Sequence, residues 1–197
     1  MSHRHERQTN AMIESTLYEK ADFSEIGSSD EFYDCRFVSC DFSDRTIRNT
    51  AFEKCVFDKC NFAMTVFACG LRDAAFTDCK MIGADLSAID RFSNALSFNR
   101  CNLDYANFAN IKLRGLAFRN CRMHDTSFEG AGIPDSTFAG CDMERASFAG
   151  ADLERADLSA AFNFAIDPRE CRLKKTVFSR YGLEGLVSHL NIVIKDV

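Results

Sequence analysis

From residue 98 to residue 158 an apolar side chain returns at every fifth position: Phe98, Leu103, Phe108, Leu113, Phe118, Met123, Phe128, Ile133, Phe138, Met143, Phe148, Leu153 and Leu158. Neither the 3.6-residue period of a helix nor the two-residue period of a strand generates that spacing. A chain that turns once in every five residues does. Two residues before most of these centres the side chain is small, as at Cys101, Ala106, Cys121, Thr126, Ala131, Ser136, Cys141, Ala146, Ala151 and Ala156. Two positions per unit therefore face inward. The other three are mostly polar, charged or glycine, which predicts a thin column with one small and one large side chain inside each flat side.

The same spacing runs earlier through Phe32, Phe37, Phe42, Ile47, Phe52, Phe57, Phe62 and Phe67. The next centre, Leu71, comes after four residues, and the register then continues through Phe76, Met81 and Leu86. Phe98 comes twelve positions after Leu86 where ten would fit, so 87–97 carries a two-residue bulge around Asp90, Arg91 and Phe92, with Phe92 filling that side. Counting it, Phe32 to Leu158 gives 26 sides, or six and a half coils. At about 4.8 Å per coil the column is roughly 31 Å long.

The ends are less regular. Residues 1–16 read as a loose lead-in, and Ala21-Asp22-Phe23-Ser24 is an isolated unit that reads as a cap before Gly27-Ser28-Ser29-Asp30 breaks the register. Past Leu158 the pattern decays at Asn163, is interrupted by Asp167-Pro168, and returns in Cys171-Arg172-Leu173 and Thr176-Val177-Phe178. From Ser179, a suitable helix N-cap, the period changes to that of a short helix with Leu183, Leu186, Val187 and Leu190 on one face, followed by an Ile192–Ile194 strand. The chain thus divides into a lead-in (1–16), a solenoid (17–178) and a C-terminal element (179–197). That last element reads either as an end cap or as a contact with a second copy about a twofold axis through Leu183, Leu186, Val187, Leu190, Ile192 and Ile194.

The ten cysteines change none of this. Cys35, Cys40, Cys55, Cys60, Cys69, Cys79, Cys101, Cys121, Cys141 and Cys171 each lie two residues before a centre, so all ten are predicted to fill the small inward slot as free thiols. No C-x-x-C pair suggests a metal. With 29 acidic and 24 basic residues the net charge is −5, which argues against a direct grip on nucleic acid. The first sixteen residues hold neither a secretory signal nor a membrane span, so a cytoplasmic location is expected.

No phosphate loop, nucleophile elbow or metalloprotease motif is present. A column filled by its own side chains offers no site for a small-molecule substrate or cofactor, so a non-enzymatic function on the outer surface is expected. That surface can be read in columns, because residues twenty apart in the unbroken run stack one above another. Asp125 with Arg145, Asp135 with Arg155 and Arg122 with Asp142 are predicted ladder pairs, and His124 is predicted to point outward. Glu129, Glu144, Asp152, Glu154 and Asp157 are left without an opposite charge one coil away and form the candidate partner-binding acidic face.

The A-(D/N)-(L/F)-x-x unit visible in Ala151-Asp152-Leu153-Glu154-Arg155 and Ala106-Asn107-Phe108-Ala109-Asn110 resembles the pentapeptide-repeat family. The resemblance implies an all-β, right-handed quadrilateral β-helix with about 20 residues per coil. Three further stretches resemble the topoisomerase-targeting branch, that is Qnr and MfpA proteins and, more closely, the albicidin-resistance and microcin-immunity proteins. They are Cys79-Lys80-Met81-Ile82-Gly83-Ala84, Ala95-Leu96-Ser97-Phe98, and the end from Ile166-Asp167-Pro168 through Leu190-Asn191-Ile192-Val193-Ile194. This implies a homodimeric rod resembling duplex DNA in width and negative charge, which binds DNA gyrase or topoisomerase IV and modulates it or protects it from a quinolone, albicidin or microcin. The chain departs from Qnr in lacking long projecting loops. The alternative is a pentapeptide-repeat scaffold with no topoisomerase role. A DNA mimic needs a continuous acidic stripe across both halves of the dimer; a scaffold does not.

Overall fold

The structure, a computed structural model, describes residues 11–26, 30–90, 92–190 and 192–195, with the backbone alone at 25 and 26. The chain winds as a four-sided parallel β-solenoid. Side one stacks β1 (Met12–Glu14), β3 (Glu31–Tyr33), β5 (Thr46–Glu53) and β7 (Val66–Arg72). Side two stacks β2 (Leu17–Glu19), β4 (Arg36–Val38), β6 (Val56–Asp58), β8 (Ala75–Thr77), β9 (Ser97–Asn99), β10 (Ala117–Arg119) and β11 (Thr137–Ala139). A four-residue helix, α1 (Phe23–Ile26), ends the first coil. Sides three and four are held by isolated parallel bridges, such as Asn102 to Arg122 to Asp142 and Asn107 to Ser127 to Ser147.

The five-residue register is visible directly in the pairing: Phe57 sits on Phe76, Phe76 on Phe98, Phe98 on Phe118 and Phe118 on Phe138. On side two the rings stack at 4.9 to 5.1 Å along this run, and Phe108, Phe128 and Phe148 stack at 5.0 Å on the opposite side four. Between the two columns the rings meet edge to face, as Phe108 and Phe118 do at 5.6 Å and 89°. Both arrangements are favoured by the ring quadrupole. Leu, Met and Ile centres fill the two remaining sides, and every centre from Phe98 to Leu158 is buried.

The small slot takes polar residues without penalty because the coil below presents a carbonyl to it. Thr126 Oγ1 donates to Leu103 O at 2.8 Å, and the Cys121 thiol donates to Phe98 O at 3.4 Å. Asp or Asn at the position before the centre closes the corner through an Asx turn. Ser43 N donates to Asp41 Oδ1 at 3.0 Å and Asp104 N to Asn102 Oδ1 at 3.0 Å. Two residues after the centre the backbone is left-handed, with φ of 52° at Arg100 and 59° at Tyr105. The strain is held by corner hydrogen bonds such as Arg100 N to Arg119 O at 2.8 Å.

Four expectations are corrected. The lead-in is structured from Met12, because Ile13, Tyr18 and Phe23 continue the five-residue spacing and stack beneath Phe32, Phe37 and Phe42 as a further coil; residues 1–10 lie outside the described residues. In the bulge, Phe92 is 57% exposed and Ser93 turns inward instead, with Leu96 buried beside it; Arg91 lies outside the described residues. The helix after Ser179 is 3₁₀ rather than α, spanning Arg180–Leu186 and Ser188–Leu190, although Ser179 caps it as expected by accepting Gly182 N–H at 3.1 Å. Ile192–Ile194 forms no strand and stays exposed. The end of the column is covered by Phe164 and Ile166, both buried, in place of Asn163. Ile166 N donates to Gly185 O at 2.9 Å, and Gly185 lies so close to Phe164 that a Cβ would not fit.

Candidate protein-interaction surface

Along the unbroken run, residues twenty apart do stack. Arg145 grips Asp125 through two bonds of 2.8 Å, and Arg155 grips Asp135 at 2.7 and 3.0 Å. The guanidinium groups hold both carboxyls below the usual carboxylate range. Arg114 also reaches Asp135 at 2.7 Å.

The third predicted pair does not form. Arg122 binds Asp104, eighteen residues earlier, and Asp142 instead meets His124 Nε2 at 2.8 Å and Asn163 Nδ2 at 2.8 Å. Burial pushes the Asp142 carboxyl up, but the hydrogen bonds from His124 and Asn163 outweigh it and leave it low. His124 occupies the outward flank of side three, as expected, with its ring laid against Asp142 of the next coil.

The reason is geometric. On one side the outward residues flank the centre two positions apart, so a long side chain reaches diagonally to the other flank one coil away, a separation of eighteen residues. Arg122 to Asp104, His124 to Asp142, Ser147 to Glu129 and Arg172 to Glu154 all follow this diagonal.

This diagonal divides the candidate acidic face. Glu144 is paired with Arg145, Asp152 meets Arg172 Nη1 at 3.5 Å, and Glu154, nearly buried, is held by both Arg155 and Arg172. Arg172 escapes column counting because the Asp167-Pro168 interruption precedes it, yet the structure stacks it on Asp152. Glu129 accepts Ser147 Oγ at 2.9 Å, and Asp157 accepts its own turn's Ser159 N–H at 2.8 Å. Of the five, these two carry carboxylates with no cation against them among the described residues.

At the C-terminal end Leu183 is 49%, Leu190 50%, Ile192 57% and Ile194 50% exposed, while Leu186 packs against the core. Tyr181 is exposed beside them, a residue that five-fold spacing had no means of marking. A groove of about 850 Å³ runs between Phe162, Phe164, Tyr181, Ile192 and Ile194, with Glu144 at its rim. The described residues contain no cluster of His, Cys, Asp or Glu able to hold a metal ion, and no helix long and apolar enough to cross a membrane.

A parallel solenoid built from five-residue sides, two inward positions to each, defines the class of protein. The pentapeptide repeat region model matches residues 30–108 and 91–161, and the chain belongs to that family. No curated protein matches the chain by sequence. Among solved structures, a trypsin-treated variant of QnrB1, a plasmid-mediated fluoroquinolone resistance protein, superposes with a TM-score of 0.73 at 21% identity, covering 96% of this chain and 94% of that one. A second trypsin-treated QnrB1 variant gives 0.62 at 19% identity, covering 94% and 98%. At this identity the likeness is one of fold.

Proposed function

We propose that the protein is a non-enzymatic rod that binds a type II topoisomerase, DNA gyrase or topoisomerase IV, in the cytoplasm and modulates it or shields it from a poison. The observation that carries this reading is a column packed with its own side chains that holds carboxylates on its outside at coil spacing, with net negative charge. A DNA site on such an enzyme is a basic surface shaped for regularly spaced phosphates. Likeness in fold to a fluoroquinolone resistance protein supports it. Glu129, on side four, and Asp157, on the opposite side two, carry the charge that no arginine shares, so the enzyme surface must wrap around the rod to meet both; Glu144, Asp152 and Glu154 contribute less because arginines already share their charge. Pairing of two copies through Leu183, Leu190, Ile192 and Ile194 would double the surface.

One observation favours the scaffold reading. Residues 11–95 carry fifteen acidic and nine basic side chains, whereas 96–195 carry twelve and thirteen, so the acidity is concentrated away from the C-terminal end instead of running through the middle of a dimer. Supercoiling by purified gyrase, titrated with the protein in the presence and absence of a quinolone, tests the proposal. A change in supercoiling or a rise in the inhibitory quinolone concentration is expected. Unchanged curves in both arms would leave the scaffold reading.

A further inference from the structure

We propose that a trough on side one of the N-terminal half is a docking groove for an extended, basic peptide segment of a partner protein. The inference does not depend on the topoisomerase reading. β5 and β7 run from side four onto side one without the usual corner turn, and their register shifts between Arg48 and Ala51. The outward positions before the centre on side one are then Met12, Glu31, Ala51 and Gly70, so two large side chains are followed by two that barely project. Ala51 and Gly70 form the floor of a depression of about 550 Å³, with Tyr33, Glu53 and Arg72 on one flank and Asn49 and Thr50 on the other.

The charge of the trough names its occupant. Glu31, Glu53 and Asp90 line it, and its one lining cation among the described residues, Arg72, is engaged by Glu53 at 3.6 Å. Lys54 nearby is turned onto Tyr33, with Nζ 2.6 Å from the phenol oxygen and 4.8 Å from the ring centre. Phosphate-bearing partners are repelled by such a surface, and its carboxylates do not converge on a point that could hold a metal ion. The floor is one side chain wide and crosses three coils, about 10 Å, which is about three residues of extended chain. Alternate side chains of an extended segment point the same way, so Arg or Lys two apart can reach Glu31 and Glu53 across Ala51, whose small side chain, like Gly70 one coil further on, lets the peptide backbone lie close. Met12, 60% exposed at the end of the trough, offers apolar cover to their stems.

The probe is a fluorescein-labelled octapeptide of alternating Arg and Ala, with alternating Glu and Ala as the negative control, followed by anisotropy at low salt. Gly70→Gln fills the floor; its Cβ would lie 3.5 Å from Ala51 Cβ, an ordinary contact, so the fold should tolerate it. Ala51→Gln fills the same space from the adjacent coil if the first variant fails to fold. Wild type should bind the basic peptide only. Either filling variant, and Glu31→Gln with Glu53→Gln, should weaken binding at least about tenfold, while Glu129→Gln with Asp157→Asn leaves it unchanged. No binding by wild type, binding indifferent to both filling variants, or an equal loss in the Glu129/Asp157 variant would overturn the proposal. A failed gyrase assay alone would not touch it.

Discussion

Ser93 stands over Leu71 and accepts its backbone N–H through Oγ at 3.0 Å, on a side whose other buried centres are Phe32, Phe52, Leu113, Ile133 and Leu153. The hydroxyl replaces a ladder bond that the irregular bulge does not supply. Ser93→Ala leaves a buried donor unpaired and should cost about 1–3 kcal/mol in urea unfolding. Phe92→Ser, at an exposed position, should change stability by less than about 0.5 kcal/mol. The reverse order would return Phe92 to the core.

This pair also marks what could and could not be read from the chain. The five-residue period was legible because each side buries one large centre at a fixed offset, and the strand stacking on Phe98, Phe118 and Phe138 follows from it. The N-terminal coil was obscured because Phe32 comes only nine positions after Phe23, although Ile13, Tyr18 and Phe23 keep the spacing. Ser93 was hidden by being polar at an inward position with a phenylalanine beside it. Twenty-residue columns show Asp125–Arg145 and Asp135–Arg155, but the eighteen-residue diagonal depends on side-chain reach, which spacing does not carry, and so it hides the partners of Arg122 and Glu154.

Phe118 touches rings on four sides, stacked between Phe98 and Phe138 and edge-on to Phe108 and Phe128. Phe118→Ala should cost about 3–5 kcal/mol, since a narrow column has little beside it that can collapse into the gap. Lys112→Ala loses one exposed bond of 2.7 Å to Gly130 O and should cost less than about 1 kcal/mol. Equal costs in chemical denaturation would contradict the inward register.

All ten cysteines are free thiols, nine buried and Cys171 partly exposed. Alkylation of the native protein should label Cys171 first, and full modification should require denaturant. Burial pushes the Cys55 and Cys69 thiols from 9.0 to about 12. Because the folded values are the higher ones, their contribution to stability is complete below about pH 9 and is lost as pH rises towards about 12. Thermal unfolding followed from pH 8 to pH 11 should show falling stability; a rise would reverse the sign of the argument.

Leu183 and Ile192 are each about half exposed at the C-terminal end, so a charge at each can stay in solvent and disturb a contact between copies without entering the core. If two copies pair at this end, Leu183→Glu with Ile192→Glu should sediment as a monomer with unchanged thermal stability, where wild type sediments as a dimer. A monomeric wild type would remove the dimer from the account.

Direct binding of the protein to purified gyrase, measured across a salt series, tests the central claim that the rod engages a topoisomerase through unpaired surface carboxylates. Wild type should bind saturably and lose affinity as salt rises. Glu129→Gln with Asp157→Asn should weaken binding and flatten that dependence, whereas Asp125→Asn with Asp135→Asn, whose charges Arg145 and Arg155 already cancel, should match wild type. Absence of binding at low salt, or the same loss in both variants, would contradict it.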